Sequence, residues 1–418
     1  MIQMDRRRLL GAASGAGLML AAGGLARAET AADGLKSMTA GVVPISSTER
    51  LARIARAQAL MRASGVSALL IEPGSSMIYF TGVRWSRSER PTLAILPAEG
   101  EVGIVTPHFE EPSVRESLDV PAEVRVWHED ENPLAIAAGW LTDRKLASGT
   151  IGVEETVRFF IVDGLAKALP SASVRNGAAI HRGVRMIKTE HELALMQTAT
   201  DITIAAYRWT YPRIQKGMTP ADIRALMARA TVALGGDVEF NLILLGEASA
   251  YPHGSGKPQM VREGEVVLMD CGCAVEGYQS DISRTFMFGE PGKHQREVWN
   301  QAHEGQQIAF HAAQLGAAAG SVDDAVRAYY EKLGYGPRYK LPGLSHRTGH
   351  GIGLDGHEPV NLVHGEMTRL AAGMCFSDEP GIYIPGEFGV RLEDCFHMTE
   401  QGPKFFSEPP PSIDKPFG

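Results

Sequence analysis

The chain has 418 residues, of which 44% are hydrophobic and 22% charged, and its formal net charge is -8. This is enough apolar material for two or three domains with ordinary cores, and an acidic balance without a basic stripe excludes nucleic acid as a partner. Four cysteines are too few for a disulfide framework, and Cys271 and Cys273 fall two apart on one expected strand; with Cys375 and Cys395 they read as small buried apolar residues.

Residues 1–28 read as an export signal. Arg6, Arg7 and Arg8 are followed by Leu9 and Leu10, an uncharged Gly/Ala/Leu stretch, and Ala26-Arg27-Ala28 as a small-x-small cleavage pattern. Consecutive arginines ahead of leucines resemble the twin-arginine signal, and the stretch is too short and too mildly hydrophobic for a membrane anchor. The expectation is a periplasmic protein that starts near Glu29, has no membrane anchor, and is exported already folded.

Residues 40–183 alternate between helical and strand patterns, as a compact α/β domain does. Thr48 is placed as the cap of a helix whose apolar residues Leu51, Ile54, Ala55 and Met61 recur at helical spacing, with Gln58 the one polar residue on that face; it stops at Gly65. "VSALLIEP" reads as a buried strand, "PTLAILPAEGEVGIVTP" as two strands joined by a Gly turn, and "GTIGVEE" as another. The "TGVRWSRSERP" segment, with Trp85, Arg87 and Arg90, reads as a solvated loop or one that overhangs a site elsewhere.

A second unit spans 189–405, with 406–418 as a tail. Thr189 and Glu192 form a capping box ahead of a long helix. Thr219 and Pro220 open another that ends at Gly235-Gly236, a third runs through "HQREVWNQAHEGQQIAFHAAQ", and Ser321 begins a fourth. Helices interleaved with strand ribbons predict an α+β architecture.

The acidic residues of interest lie on those ribbons. In "EVVLMDCGCAVEGYQSDISRTFMF", Asp270 and Asp281 are eleven apart, which would put them on opposite faces of one straight strand. A hairpin turning at Glu276-Gly277 instead sets Gly272 opposite Asp281 and makes the two carboxylates diagonal neighbours, about 7 Å apart at the backbone. In "CFSDEPGIYIPGEFGVRLEDCF", a turn centred on Gly386 sets Glu379 opposite Glu393. Carboxylates aimed at one point in apolar runs repel each other unless a cation sits between them. "SHRTGHGIGLDGHEP" adds His346, His350 and His357, and an oxygen-rich site with an imidazole suits a divalent ion such as Mn²⁺, Co²⁺ or Zn²⁺. No His-Glu-x-x-His helix, G-x-S-x-G elbow or phosphate-binding glycine loop competes with this reading.

The ordered set Asp270, Asp281, His350, Glu379 and Glu393 resembles the pita-bread metallopeptidase family, which includes aminopeptidase P, prolidase and the metal-free creatinase. The similarity covers essentially the whole chain after the signal, and "GVRMIKTEHELALM" resembles the domain junction of the creatinase and prolidase branch. The resemblance implies a C-terminal pita-bread fold behind a creatinase/prolidase-like N-terminal domain. It implies two divalent ions, with Mn²⁺ expected and Co²⁺ or Zn²⁺ as alternatives. Asp281 and Glu393 would bridge them, Asp270 would complete one site, and His350 with Glu379 the other. Glu379 would also shuttle a proton, His253 and His357 would be the pocket histidines, His346 a proton-shuttling histidine, and Tyr383 and Arg391 would line or brace the proline pocket.

The implied activity is hydrolysis of the bond preceding proline in a dipeptide or short peptide. Many prolidases carry an arginine shortly after the second pocket histidine, whereas this chain reads His357-Glu358-Pro359-Val360-Asn361, so longer aminopeptidase P substrates remain open. A hydrolase or lyase of the same fold acting on a non-peptide small molecule is one alternative, although Gly272 stands where lyase relatives tend to place a further carboxylate. A metal-free binding module is the other. The resemblance also implies a homodimer, with the Trp85 loop reaching the partner's pocket.

Overall fold

The computed structural model describes residues 34–417; the expected signal, 1–28, lies outside them. The N-terminal unit is one six-stranded mixed sheet, formed by β1 (Ala68–Ile71), β2 (Leu93–Pro97), β3 (Val102–Pro107), β4 (Ala122–Trp127), β5 (Thr150–Val153) and β6 (Ser173–Asn176) in the order β4-β3-β2-β1-β5-β6. One face packs Ala68, Leu70, Leu93 and Ile95 on Trp140 and Leu141, and the other turns Leu69, Ile71, Ala94 and Leu96 toward the rest of the molecule. Burial on both faces accounts for strands that read as continuous apolar runs.

Helix α1 (Ser47–Ser64) differs from its sequence expectation. Its cap is Ser46, whose hydroxyl and the Glu49 carboxylate close a capping box; Thr48 is already inside the helix. Its buried face holds Arg50, Arg53, Ile54, Ala57 and Met61, while Leu51 and Ala55 are exposed. The helix turns two arginines inward because each finds partners there: Arg50 reaches Asp119 at 3.1 Å, and Arg53 reaches Tyr278 at 2.8 Å. Trp85 packs against the hydrophobic core and is absent from the wall of the cavity described below.

The C-terminal unit begins with α2 (Glu190–Thr210), capped by Thr189 and Glu192, and α3 (Pro220–Leu234), capped by Thr219 and ended by Gly235 in the left-handed conformation. A sheet of β7 (Asp237–Leu245), β8 (Glu265–Val275) and β10 (Ile282–Phe288), with the short β9 (Tyr278–Gln279) paired to β8, lies in the order β10-β8-β7. Helices α4 (Lys293–Ala312) and α5 (Gly320–Lys332) follow, the latter beginning one residue before the expected Ser321. A second sheet, β12-β11-β13-β16-β17, is formed by β11 (Gly349–Gly351), β12 (Glu358–Leu362), β13 (Cys375–Asp378), β16 (Asp394–Thr399) and β17 (Gly402–Phe405). Between them stands the hairpin of β14 (Ile382–Ile384) and β15 (Phe388–Val390).

Strand β8 shows how the layers position the site. Val267, Met269, Cys271 and Cys273 face the core shared with α2 and α3, whereas Val266 and Leu268 face the core shared with α4, α5 and the second sheet. Period-two alternation therefore carries Asp270 to the inter-sheet side. All four cysteines are free and buried, and no helix among the described residues is long and apolar enough to cross a membrane.

Candidate metal centre

Two hairpins deliver the acids. The β8/β10 register pairs Ile282 with Cys271 and Ser283 with Asp270, and Val275 pairs with Tyr278 across Glu276-Gly277. Those two turn residues have φ of 51° and 86°, as a two-residue primed turn requires. Asp281 thus falls opposite Gly272. A Cβ at Gly272 would meet the Ser280 carbonyl at 2.3 Å, so this close approach needs a glycine. On the second ribbon, Asp378 pairs with Asp394 and Ile382 with Val390; Glu379 and Glu393 face each other between those pairs.

The ligand atoms converge in nested groups. Asp270, Asp281 and Glu393 offer ligand atoms within 4.8 Å of one another, as do His350, Glu379 and Glu393, and Asp281, His350 and His357, the histidines through ring nitrogens. Asp281, His350 and Glu393 each belong to two groups and stand at the centre of the cluster. His350 Nδ1 donates to the Gly351 carbonyl at 3.1 Å, and Nε2 faces Glu379 at 3.3 Å, donating to it while protonated and free to accept an ion once that proton leaves. That is the orientation a histidine ligand needs.

Electrostatics are unfavourable for the bare acids. Burial, then the charges of Asp270 and Glu379, push Asp281 well above the usual carboxylate range. Burial and the charges of Asp281, Glu379 and Asp270 do the same to Glu393. Burial would also raise Glu379, but its hydrogen bond to His350 and the nearby imidazoles hold it at about 2. Buried oxygens Oδ1 of Asp270 and Oδ1 of Asp281 have no hydrogen-bond partner. Unpartnered carboxylate oxygens crowded against one imidazole fit divalent cations, which would satisfy the lone pairs and cancel the repulsion.

The protein holds these ligands from behind. Arg391 Nη2 donates to Asp270 at 2.6 Å and its Nε to Ser283 Oγ at 2.8 Å, while Ser283 Oγ donates to Glu393 at 2.7 Å. Ser377 Oγ accepts from the His350 backbone N–H at 3.0 Å and lies 3.3 Å from Glu379. Ser283 and Ser377 were missed in the sequence, where an isolated serine between apolar residues carries no signal of its own.

Nine of the ten nominated residues, His253, Asp270, Asp281, His346, His350, His357, Glu379, Arg391 and Glu393, line a cavity of about 270 Å³. Tyr383 does not. It is fully buried behind the wall, where its hydroxyl accepts from Arg391 Nη1 at 3.0 Å and donates to His346 Nε2 at 2.8 Å. His346 Nδ1 donates to the Arg347 carbonyl at 2.7 Å, so both ring nitrogens are engaged, and shuttling a proton requires one of these bonds to open. Burial keeps His346 below its usual pKa, and burial with the His350 charge brings His357 down to about 4; both are neutral near pH 7. Phe240, Leu242, Gln279 and Arg347 complete much of the wall and were not anticipated.

Comparison with known proteins places this geometry. Residues 194–400 match the metallopeptidase family M24, and residues 53–187 match the creatinase/prolidase N-terminal domain. The chain is 33% identical over 354 residues to a probable dipeptidase PepE of Mycobacterium tuberculosis, covering 84% of this chain and 92% of that protein. It is 32% identical to an Xaa-Pro dipeptidase of Lactobacillus helveticus, covering 79% and 89%. The crystal structure of dipeptidase PepE from Mycobacterium ulcerans superposes with a TM-score of 0.81 at 31% identity, covering 88% of this chain and 98% of that one. With two acid-bearing hairpins, a histidine facing them and both domain matches in place, this chain belongs to metallopeptidase family M24 and carries the creatinase/prolidase N-terminal domain.

Proposed function

We propose that the protein hydrolyses the amide bond preceding proline in dipeptides or short peptides. The observation that carries this is the nested cluster sharing Asp281, His350 and Glu393 in a cavity walled by three further histidines. Its volume of about 270 Å³ is at the small end of ligand sites and suits a short substrate. Relatives named Xaa-Pro dipeptidase support the proline preference.

Asp270, Asp281 and Glu393 would hold one ion, and His350, Glu379 and Glu393 with Asp281 the other. When bound, the pair supplies Lewis acidity toward the scissile carbonyl and acidifies the attacking water. Glu379, ionised at neutral pH, accepts that water's proton and passes it toward the leaving nitrogen. His253 and His357 donate N–H groups to the developing oxyanion or hold the leaving nitrogen. Arg391 fixes Asp270, and Tyr383 fixes the ring of His346.

The proposal extends to Mn²⁺ as the resident ion and to a homodimer, both supported by the family resemblance. It also extends to twin-arginine export to the periplasm, supported by residues 1–28. Purified protein stripped with a chelator and reloaded with Mn²⁺, Co²⁺ or Zn²⁺ should cleave an Xaa-Pro dipeptide and leave a non-proline control intact. Metal-replete protein that cleaves no Xaa-Pro bond would refute the reading, and protein that binds no metal would favour a binding module.

A further inference from the structure

A second cavity of about 610 Å³ opens beside the first and shares His253 and Leu242 with it. Its floor is Leu242, Ile243 and Leu244 of β7, its far wall the start of α3 at Thr219 to Arg224, and its rim the 253–259 loop. Strand β7 is at the edge of its sheet. In an antiparallel ladder a residue turns its N–H and C=O to the same side, and the side alternates along the strand. The Leu245 N–H points away from β8, to the Gln259 side chain at 3.0 Å. Ile243 and Asn241, two and four residues back, therefore also present their backbone groups on the outer edge. Their register with Met269 and Cys271 is continuous with that of Leu245.

Charge divides the two cavities. The metal cavity carries four carboxylates, whereas the residues lining the second include Arg224 and Lys257 and no acid. Arg224 has no ion pair among the described residues, and Lys257 only an exposed 3.7 Å contact with Glu247.

We infer that this groove receives the segment of a peptide that follows the proline, laid along β7 as an added strand, with its terminal carboxylate toward Arg224 and Lys257. The substrate class is then Xaa-Pro-initiated peptides longer than two residues. This rests on the proline-directed hydrolysis proposed above.

The test compares kcat/KM for Xaa-Pro, Xaa-Pro-Yaa-Zaa and the C-terminally amidated tetrapeptide, using metal-loaded wild type and the Arg224→Glu/Lys257→Glu variant. Wild type should cleave the free-acid tetrapeptide at least as well as the dipeptide. Charge reversal should raise KM for that tetrapeptide by about tenfold, the scale of one lost charge-assisted hydrogen bond, and leave the dipeptide unchanged. Amidation should reproduce the loss in wild type. Cleavage of the dipeptide alone, or equal loss on both substrates, overturns the groove assignment while sparing the parent reading. Failure of wild type on every Xaa-Pro substrate overturns both.

Discussion

Arg391 and Asp270 are joined across 2.6 Å, and the same guanidinium reaches the Tyr383 hydroxyl at 3.0 Å and the Pro252 carbonyl at 3.2 Å. One arginine thus neutralises part of the acid cluster, anchors the loop that leads to His253, and steadies the hydroxyl on which His346 rests. Lysine has one point charge in place of a planar fork and cannot make these contacts together. Arg391→Lys should lower metal affinity or turnover by about 10- to 100-fold, as loss of a partner behind a ligand does. Metal stoichiometry measured beside kcat separates the two effects.

Tyr383→Phe removes only the hydroxyl between Arg391 and His346. Turnover should fall while metal content stays at the wild-type value, since Tyr383 lies outside every ligand group. Equal metal loss would show that the hydroxyl serves the ligand shell itself.

Asp281→Asn should trade function for stability. Asp281 is buried, crowded by Asp270 and Glu379, and leaves Oδ1 unpartnered. An amide of the same shape ends the like-charge crowding. The metal-free variant should melt above the metal-free wild type, whereas wild type with excess metal should melt above both, because ions bind only its folded form tightly. Calorimetry with and without chelator gives the order, and a metal-free variant that melts lower removes the repulsion account.

Glu358 offers a pH-dependent prediction away from the ions. Burial would raise its pKa, but Arg185 at 2.5 Å and Lys188 at 2.9 Å, both reaching it from the end of the N-terminal domain where the helix Ala178–Arg185 stops, hold it at about 2 against an ordinary 4.5. A depressed carboxylate stabilises the fold above its unfolded pKa. The contribution, about 3 kcal/mol, is therefore full above pH 4.5 and lost as pH falls toward 2. Glu358→Gln should destabilise at pH 7, and its gap from wild type in denaturant unfolding should narrow near pH 3.

Much of the site was legible because its geometry is local. Glu276-Gly277 and Gly386 set the register of two hairpins, and register alone decides which acids face each other. Features that depend on distant chain were not legible. Arg50 and Arg53 are buried on α1 because Asp119 and Tyr278 meet them from elsewhere, so hydrophobic spacing chose Leu51 and Ala55 wrongly. Ser46, the actual cap, was passed over for Thr48 because three hydroxyls, Ser46, Ser47 and Thr48, stand together at the helix start; only Ser46 has its Glu49 three residues on. Tyr383 was expected to line or brace the pocket; it stands behind the wall, bonded to Arg391 and His346, a choice set by how β14 packs rather than by its spacing from Glu379.

Arg53, Tyr278 and Glu192 form a closed buried triangle, with contacts of 2.8, 2.7 and 3.1 Å. Tyr278 is the first residue after the Glu276-Gly277 turn and three before Asp281, so the amino-terminal helix grips the very ribbon that carries Asp281. The first domain is consequently a splint as much as a neighbour. Any swivel between the two halves would have to drag the catalytic ribbon with it, and inherited defects in α1 would surface as lost chemistry at a site some two hundred residues away in the chain.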